Sequence, residues 1–361
     1  MDKLSSAERL KRCFFHEELD RPAIYLRMYI SASDKSYDKL RALAREKTDL
    51  KYDSGIGLKI HRFKEIEELH NEDFKKKKLI LETPKGRLES IEYVSLKGQP
   101  DYTEKYLLET REDAEKYLSF KYPEIKGDTS EYFKFKKEVG DRGIVTAALT
   151  ENPGGLVAGL FGTERFAMMS VTDRDILHEI MKKRMNFLLD LIKYYKKNDM
   201  GPYFWMAGEE LITPPIHGPE DFDDFNTRYD KPIIDLVHEI GGRVHIHCHG
   251  KIKKVLPGFL RMGADIIHPF EAPPMGDVTA KEAKEIVKDK ICIEGNIQIA
   301  DMYENSVDSI VEQTENLIKD AFSDKKNLII CPTASPYIFG AADNCYKQYK
   351  AMVDTVINYA R

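Results

Sequence analysis

Short apolar runs alternate with longer amphipathic runs along this chain, most regularly after residue 143. Short apolar runs bounded by turn residues are typical of buried strands, and apolar positions three and four residues apart are typical of helices. The predicted strands cover residues 143–148, 202–207, 243–250, 265–268, 291–294 and 328–331. The predicted helices cover residues 174–197, 219–240, 252–262 and 306–322, a segment that begins at Thr279, and the C-terminal end.

The pattern is less regular before residue 143. Residues 23–28 predict a strand, and residues 78–82 and 88–94 predict a hairpin with polar faces. The segment between the two hairpin strands, Thr83-Pro-Lys-Gly-Arg87, contains the proline and glycine that turns favour. This first part of the chain therefore adds structure to the regular repeat that follows.

Strands that alternate with helices at this spacing predict parallel β-α-β units. We find no linker and no break in composition, so we predict an α/β fold with one (β/α)8 barrel domain, residues 1–361. Residues 1–142 would form an N-terminal elaboration and the first barrel units, and residues 143–361 the regular units. A doubly wound open sheet is the alternative architecture.

The composition narrows the range of partners. The formal net charge is only −5 and 42% of the residues are hydrophobic, so we expect a full core and no nucleic-acid partner. No apolar run reaches about 18 residues, and no signal peptide is recognisable, so we expect no membrane association. The five cysteines follow no disulfide spacing, which indicates reduced thiols and a soluble cytoplasmic protein.

Three histidines occupy alternate positions of the predicted strand 243–250. They are His245, His247 and His249. Because alternate side chains of a strand point to the same face, the three imidazoles would share one side. Imidazole is the commonest protein ligand of divalent transition metals. This segment is therefore the first candidate for a metal site.

Further polar residues lie at the carboxyl ends of the predicted strands, which meet at one mouth of a barrel. This group consists of Glu209, Glu210, His247, His249, His268, Glu271, Glu294, Asn296 and Cys331. Catalytic zinc sites use three histidine, cysteine or carboxylate ligands and keep one position open. Two histidines two residues apart and one cysteine from a later strand would satisfy this rule.

Several of these residues lie in segments that resemble the uroporphyrinogen decarboxylase superfamily, and within it the cobalamin-dependent methyltransferases. The resemblance covers nearly the whole chain. The segments that carry it are Ala7-Glu-Arg-Leu10 with Asp20-Arg-Pro22, Asn152-Pro-Gly-Gly155 with Gly162-Thr-Glu-Arg165, Gly263-Ala-Asp265, Glu294-Gly-Asn296 and Cys331-Pro-Thr-Ala-Ser-Pro336.

The resemblance implies a zinc site. The methyltransferase branch binds zinc through a His-x-Cys-Gly segment and a later cysteine. Alignment on Gly250 assigns these ligands to His247, His249 and Cys331, so that a histidine replaces the first cysteine. A related branch that demethylates aryl ethers resembles a Glu-x14-Glu-x20-His zinc pattern. Glu209, Asp224 and His245 fit that spacing with one substitution and form an alternative ligand set.

The resemblance also implies the reaction: a zinc-dependent transfer of a methyl group from a small methylated substrate to the cobalt of a corrinoid (cobalamin). Because nitrogen replaces a thiolate ligand, we expect an oxygen-bound methyl donor, with methoxylated aromatics preferred. Glu210 and Glu294 are the candidate catalytic residues, and Asn296, His268 and Glu271 the candidate substrate-binding residues. We find no motif that would hold a corrinoid, so we expect a small corrinoid-binding protein to deliver it.

Two other functions remain as alternatives. One is methyl transfer from a corrinoid to a thiol of the coenzyme M type. The other is a metal-free decarboxylase of the uroporphyrinogen type. True uroporphyrinogen decarboxylases carry an arginine-rich loop after the first strand, and the corresponding segment from Arg27 to Asp34 has only one arginine. A substrate with many carboxylates would lack its cationic clamp here.

Overall fold

A computed structural model describes residues 3–97 and 100–359, which form twelve strands and fourteen helices. The strands are β1 (Ala23–Ile24), β2 (Leu50–Ser54), β3 (Lys64–Leu69), β4 (Phe74–Thr83), β5 (Gly86–Ser95), β6 (Tyr102–Lys105), β7 (Gly143–Glu151), β8 (Tyr203–Ala207), β9 (Arg243–His247), β10 (Ile266–His268), β11 (Cys292–Ile297) and β12 (Leu328–Pro332). The helices are α1 (Ser6–Phe15), α2 (Asp38–Lys47), α3 (Arg111–Ser119), α4 (Ser130–Val139), α5 (Pro153–Phe161), α6 (Thr163–Thr172), α7 (Arg174–Lys197), α8 (Pro219–Phe222), α9 (Arg228–Glu239), α10 (Leu256–Met262), α11 (Ala280–Val287), α12 (Asp301–Glu304), α13 (Val307–Ala321) and α14 (Ala342–Tyr359).

Eight strands form one parallel sheet in the order β1, β12, β11, β10, β9, β8, β7, β2. The amide of Asp49, just before β2, donates to the carbonyl of Ile24 at the end of β1 over 2.8 Å. The sheet therefore curls until its first and last strands meet. A doubly wound sheet would reverse its strand order at a switch point, which this sheet does not do. The predicted (β/α)8 barrel is confirmed.

A separate antiparallel sheet lies between β2 and β7 in the chain, with the order β3, β4, β5, β6. The predicted hairpin is its central pair, β4 and β5. The edge strand β3 is exposed along its whole length and is joined to β4 by ion pairs, such as Lys77 with Glu65 at 2.9 Å. Charged side chains on an exposed edge discourage pairing with other chains. This sheet is the N-terminal elaboration.

Helices cover the outside of the barrel and bury its apolar positions. On β9, Val244 and Ile246 are fully buried against this helical layer. The alternate positions of the same strand face inward and carry His245 and His247. No helix in the described ranges is both long enough and apolar enough to span a membrane.

A buried ion network joins β1 and β2 at the seam of the barrel. Asp49 is fully buried and accepts hydrogen bonds from Arg9 at 2.6 Å, Arg21 at 3.1 Å and the amide of Ile24 at 2.9 Å. Removing the carboxylate would leave two buried guanidinium groups without this partner, and such groups are costly to bury.

We therefore expect Asp49→Ala to lower the free energy of unfolding by roughly 3–5 kcal/mol. Asp235→Ala is the control, because Asp235 is exposed and pairs only across one helical turn with Lys231. We expect that control to change stability by less than about 1 kcal/mol. Urea denaturation followed by circular dichroism measures both values, and equal stability of Asp49→Ala and wild type would contradict this role.

Candidate metal centre

The carboxyl ends of the barrel strands bring the inward polar side chains together. The sheet register pairs His247 of β9 with His268 of β10, and Asn296 of β11 with Cys331 of β12. Paired residues of parallel strands point to the same side of the sheet. These side chains therefore lie at the same mouth of the barrel.

A metal-sized cluster is formed by His268, Glu294 and Cys331. One ligand atom of each residue lies within 4.8 Å of the others, and all three side chains are buried. Among residues 3–97 and 100–359, no other three histidine, cysteine or carboxylate side chains meet in this way. His247 adjoins the cluster, because its Nδ1 lies 2.9 Å from Nδ1 of His268 and the two rings stack at 5.0 Å.

The carboxylate of Glu294 has basic groups near both of its oxygens. Lys51 Nζ donates to its Oε2 over 2.5 Å, and His245 Nε2 lies 3.2 Å from the same oxygen. Its other oxygen, Oε1, lies 3.9 Å from Cys331 Sγ and 4.0 Å from the Arg27 guanidinium. Burial alone would raise the pKa of Glu294, but Lys51 and His245 outweigh it and hold that pKa well below its usual value. Glu294 is therefore ionised, which suits a ligand better than a general acid.

The neighbouring imidazoles are neutral. Burial, with the Arg27 guanidinium and other imidazoles nearby, lowers the pKa of His247 to about 2. The same causes hold the pKa of His268 well below its usual value. A neutral imidazole keeps a lone pair for a metal ion. Burial and the charge of Glu294 raise the pKa of the Cys331 thiol, and a bound cation would reverse this effect.

The donor set fits zinc. Imidazole nitrogen, thiolate sulfur and carboxylate oxygen are the three ligand types of zinc sites. Lys51 holds the remaining oxygen of Glu294 by a hydrogen bond, as groups behind a metal ligand commonly do, and Nε2 of His245 lies 3.2 Å from that oxygen. Both ring nitrogens of His245 are buried without a hydrogen-bond partner, so the centre also contains an imidazole whose donor and acceptor are unused.

The remaining predicted residues lie nearer the surface. Strand β9 ends at His247, so His249 lies in the following loop with its ring perpendicular to that of His247 at 4.7 Å. His249 is 38% exposed and its Nδ1 lies 3.3 Å from Glu271. Glu210 accepts a hydrogen bond from the amide of Gly208 at 3.2 Å. Burial raises the pKa of Glu210, so Glu210 is better suited than Glu294 to donate a proton.

The structure does not bring the alternative set of Glu209, Asp224 and His245 together. Asp224 lies on the outer helical layer, where Arg174 and Arg228 donate to its carboxylate over 2.9 and 3.0 Å. His245 faces Glu294 inside the barrel. These three side chains do not form a metal-sized group within the described part of the chain.

Glu209 lies beside Asp230, and the two form a buried pair of acids. The sequence does not predict this pair. Asp230 accepts a hydrogen bond from Asn152 at 2.8 Å, whereas neither carboxylate oxygen of Glu209 has a hydrogen-bond partner. Burial raises the pKa of Asp230 to about 8. Burial and the neighbouring Asp230 raise the pKa of Glu209 well above its usual value. The pair therefore binds protons more tightly in the folded protein than in the unfolded chain.

We expect this pair to make stability depend on pH. A raised carboxyl pKa stabilises the folded protein fully below about pH 4, and this contribution is lost as the pH rises towards about 8. Between pH 6 and pH 8, Asp230→Asn should therefore lose about 2 kcal/mol less unfolding free energy than wild type. Urea midpoints at several pH values test this, with Asp235→Asn as the exposed control. Parallel pH profiles of wild type and Asp230→Asn would contradict it.

Sequence reasoning also missed Lys51 as a site residue. The signal was present, because Lys51 and Asp53 alternate on β2 and both face inward. Because two of the five residues of β2 are charged, the sequence does not show the apolar pattern of a buried strand. Contact with Glu294 across the barrel becomes visible only when the fold is known.

Comparisons with known proteins agree with this architecture. The family model of uroporphyrinogen decarboxylase (URO-D) matches residues 91–358. A methyltransferase from Methanosarcina mazei superposes with a TM-score of 0.66 at 11% identity, over 99% of this chain and 100% of that chain. A B12-independent methionine synthase from Shewanella sp. W3-18-1 superposes with a TM-score of 0.51 at 12% identity, over 78% of this chain and 75% of that chain. At these identities the likenesses show the fold. No curated protein sequence matches significantly.

Proposed function

The chain belongs to the uroporphyrinogen decarboxylase family, and we propose that it is a zinc-dependent methyltransferase that passes a methyl group from a small methylated substrate to the cobalt of a corrinoid. The observation that carries this proposal is the buried cluster of His268, Glu294 and Cys331. A metal-free decarboxylase needs no such set of soft and hard metal ligands. The methyltransferase from Methanosarcina mazei among the similar structures supports the methyl-transfer part of this proposal.

Cys331 and His268 would hold the zinc with Oε1 of Glu294, and His247 is close enough to contribute a second imidazole. His247 and Cys331 also belong to the set that the sequence predicts, whose third member is His249. A bound zinc would supply Lewis acidity to the oxygen of a methyl ether. Lys51 fixes the orientation of Glu294 and keeps it ionised.

The leaving oxygen of the substrate needs a proton. Glu210 is the best-placed carboxyl for this role, because burial raises its pKa and it lies at the strand-end mouth. Asn296 follows Glu294 on β11 and offers both a donor and an acceptor to orient the substrate. Glu271 and His249 form a pair at the rim, where they would contact the outer part of a substrate.

We propose that a small corrinoid-binding protein docks at this mouth. The loops that follow the barrel strands expose large apolar side chains there, including Met275 at 64% and Phe339 at 74%. Exposed apolar groups around a polar site are typical of docking surfaces for proteins. A transient complex of this kind buries a modest area, often less than about 1,200 Å².

Decarboxylation of uroporphyrinogen is disfavoured by the same geometry. Arg27, the one arginine of the segment after β1, is 8% exposed and lies 4.0 Å from Glu294. A single buried guanidinium inside the barrel cannot clamp several substrate carboxylates.

The experiment is a panel of methyl donors offered to the purified protein with reduced cobalamin under anoxic conditions. The panel contains methoxybenzenes, methoxybenzoates, methanol and methylated thiols, and formation of methylcobalamin is the readout. We expect transfer from at least one methoxylated aromatic. Transfer only between methylcobalamin and a thiol would instead favour the coenzyme M type of reaction. Conversion of uroporphyrinogen to coproporphyrinogen would contradict the proposal.

A further inference from the structure

We infer that a cavity between the loop after β2 (residues 55–60) and helix α7 binds a small carboxylic acid with an apolar body. The cavity has a volume of about 400 Å³ and lies where β2 and β7 end. Pockets for small molecules have volumes of roughly 300–1,000 Å³. None of the three metal-cluster residues His268, Glu294 and Cys331 lines this cavity. The site is therefore separate from the proposed reaction and takes a second ligand.

One wall of the cavity contains the buried guanidinium of Arg184, a residue of α7. Its Nε donates to the carbonyl of Glu151 over 3.2 Å, and its Nη2 donates to the carbonyls of Leu149 and Glu151 and to the hydroxyl of Thr150. Nη1 is also buried and has no hydrogen-bond partner. Because buried donors are nearly always paired, Nη1 of Arg184 indicates a missing acceptor.

The positive charge of Arg184 also lacks a close counter-ion. No carboxylate of the described residues forms an ion pair with it, and the carboxylate of Glu151 attracts it only from a greater distance and is itself exposed. Burial consequently lowers the pKa of Arg184, although a guanidinium stays charged in proteins. An unpaired buried charge is costly. A ligand carboxylate in the cavity would supply the counter-ion and accept a hydrogen bond from Nη1.

A second cation lies at the opening of the cavity. Lys59 lines the cavity and is exposed, and among the described residues no carboxylate forms an ion pair with it. An exposed ammonium group attracts an anion before it binds, and this attraction weakens as salt is added. Lys59 and Arg184 together therefore favour a ligand with a negative charge.

The remaining walls of the cavity are largely apolar. Leu58, Ile60, Phe187 and Leu191 line it, and the hydroxyl of Tyr195 is already used, because it donates to a backbone carbonyl over 2.8 Å. Inorganic phosphate would leave most of its oxygens without donors here, and such desolvation is costly. A carboxylate that carries an aliphatic or aromatic body would instead bury apolar surface against these side chains.

Calorimetric titration of the purified protein tests this site. The probes are hexanoate, its neutral analogue hexanamide, and inorganic phosphate. The variants are Arg184→Met, which removes the charge and keeps an unbranched apolar side chain, and Lys59→Glu. Lys64→Glu is the matched control, because Lys64 is also an exposed lysine but lies on β3 outside the cavity lining.

We expect wild type to bind hexanoate at least about tenfold more tightly than hexanamide, since a hydrogen bond to a charged group contributes this much. Arg184→Met should weaken hexanoate by a similar factor and leave hexanamide unchanged. Lys59→Glu should weaken hexanoate about threefold to fivefold, and Lys64→Glu should match wild type.

Three results would overturn the inference: no binding of hexanoate by wild type, equal affinities of wild type for hexanoate and hexanamide, or binding of phosphate without hexanoate. Equal hexanoate affinities in wild type and in a folded Arg184→Met would also overturn it. Circular dichroism shows whether Arg184→Met folds. If it does not, the comparison of hexanoate with hexanamide on wild type and the Lys59→Glu variant decide the question.

Discussion

Cys331→Ala should reduce bound zinc from about one ion per chain to less than roughly a tenth of that, because the thiolate is the strongest ligand of the cluster. Methyl transfer should fall by roughly a thousandfold, since loss of a Lewis acid removes several kcal/mol of transition-state stabilisation. Elemental analysis of protein prepared without chelators measures the metal. Cys345→Ala is the control, because Cys345 is also buried but lies in α14. Full zinc retention in Cys331→Ala would contradict the proposed centre.

Two further variants identify the remaining ligands. We expect His268→Ala to lose zinc as Cys331→Ala does, because His268 lies within the metal-sized cluster. His249→Ala should retain most of it, because His249 lies on the loop beyond β9 and pairs with Glu271. The opposite result, with zinc lost from His249→Ala and retained in His268→Ala, would favour the triplet that the sequence predicts.

A corrinoid bound to its own carrier protein should accept the methyl group about a hundredfold faster than free cobalamin at equal concentration, because docking positions the cobalt over the mouth. Phe339→Ser should slow transfer to the carrier and leave transfer to free cobalamin unchanged. Leu69→Ser is the matched control, since Leu69 is also 74% exposed but lies on the separate antiparallel sheet. Equal rates with carrier and free cobalamin would contradict a dedicated partner.

The sequence predicts the barrel because most of its strands are apolar and are followed by amphipathic helices. It misses β2, since Lys51 and Asp53 interrupt the apolar pattern with charges that face the barrel interior. It also misses β3 (Lys64–Leu69), because four of its six residues are charged and all six are exposed. The pattern of apolar residues therefore does not predict a strand that has no apolar face.

The sequence likewise predicts only part of the candidate site. Strand ends indicate that His247, His268, Glu294 and Cys331 meet, because parallel strands share one mouth. Sequence spacing does not show that Glu294 is the residue on which the cations converge, since Lys51 is distant in the chain and contacts it only across the barrel. Sequence spacing also suggested that Asp224 is a metal ligand. In the structure Asp224 lies on the outer helical layer and accepts hydrogen bonds from Arg174 and Arg228 instead.

The most direct test of the account is the single-turnover rate of methyl transfer from 4-methoxybenzoate to reduced cobalamin, measured on zinc-loaded, zinc-depleted and zinc-restored protein. We expect rapid transfer with zinc, a loss of roughly a thousandfold on its removal and full recovery on its return. Equal rates in the three preparations, or no transfer from any methylated donor by the zinc-loaded protein, would contradict the account.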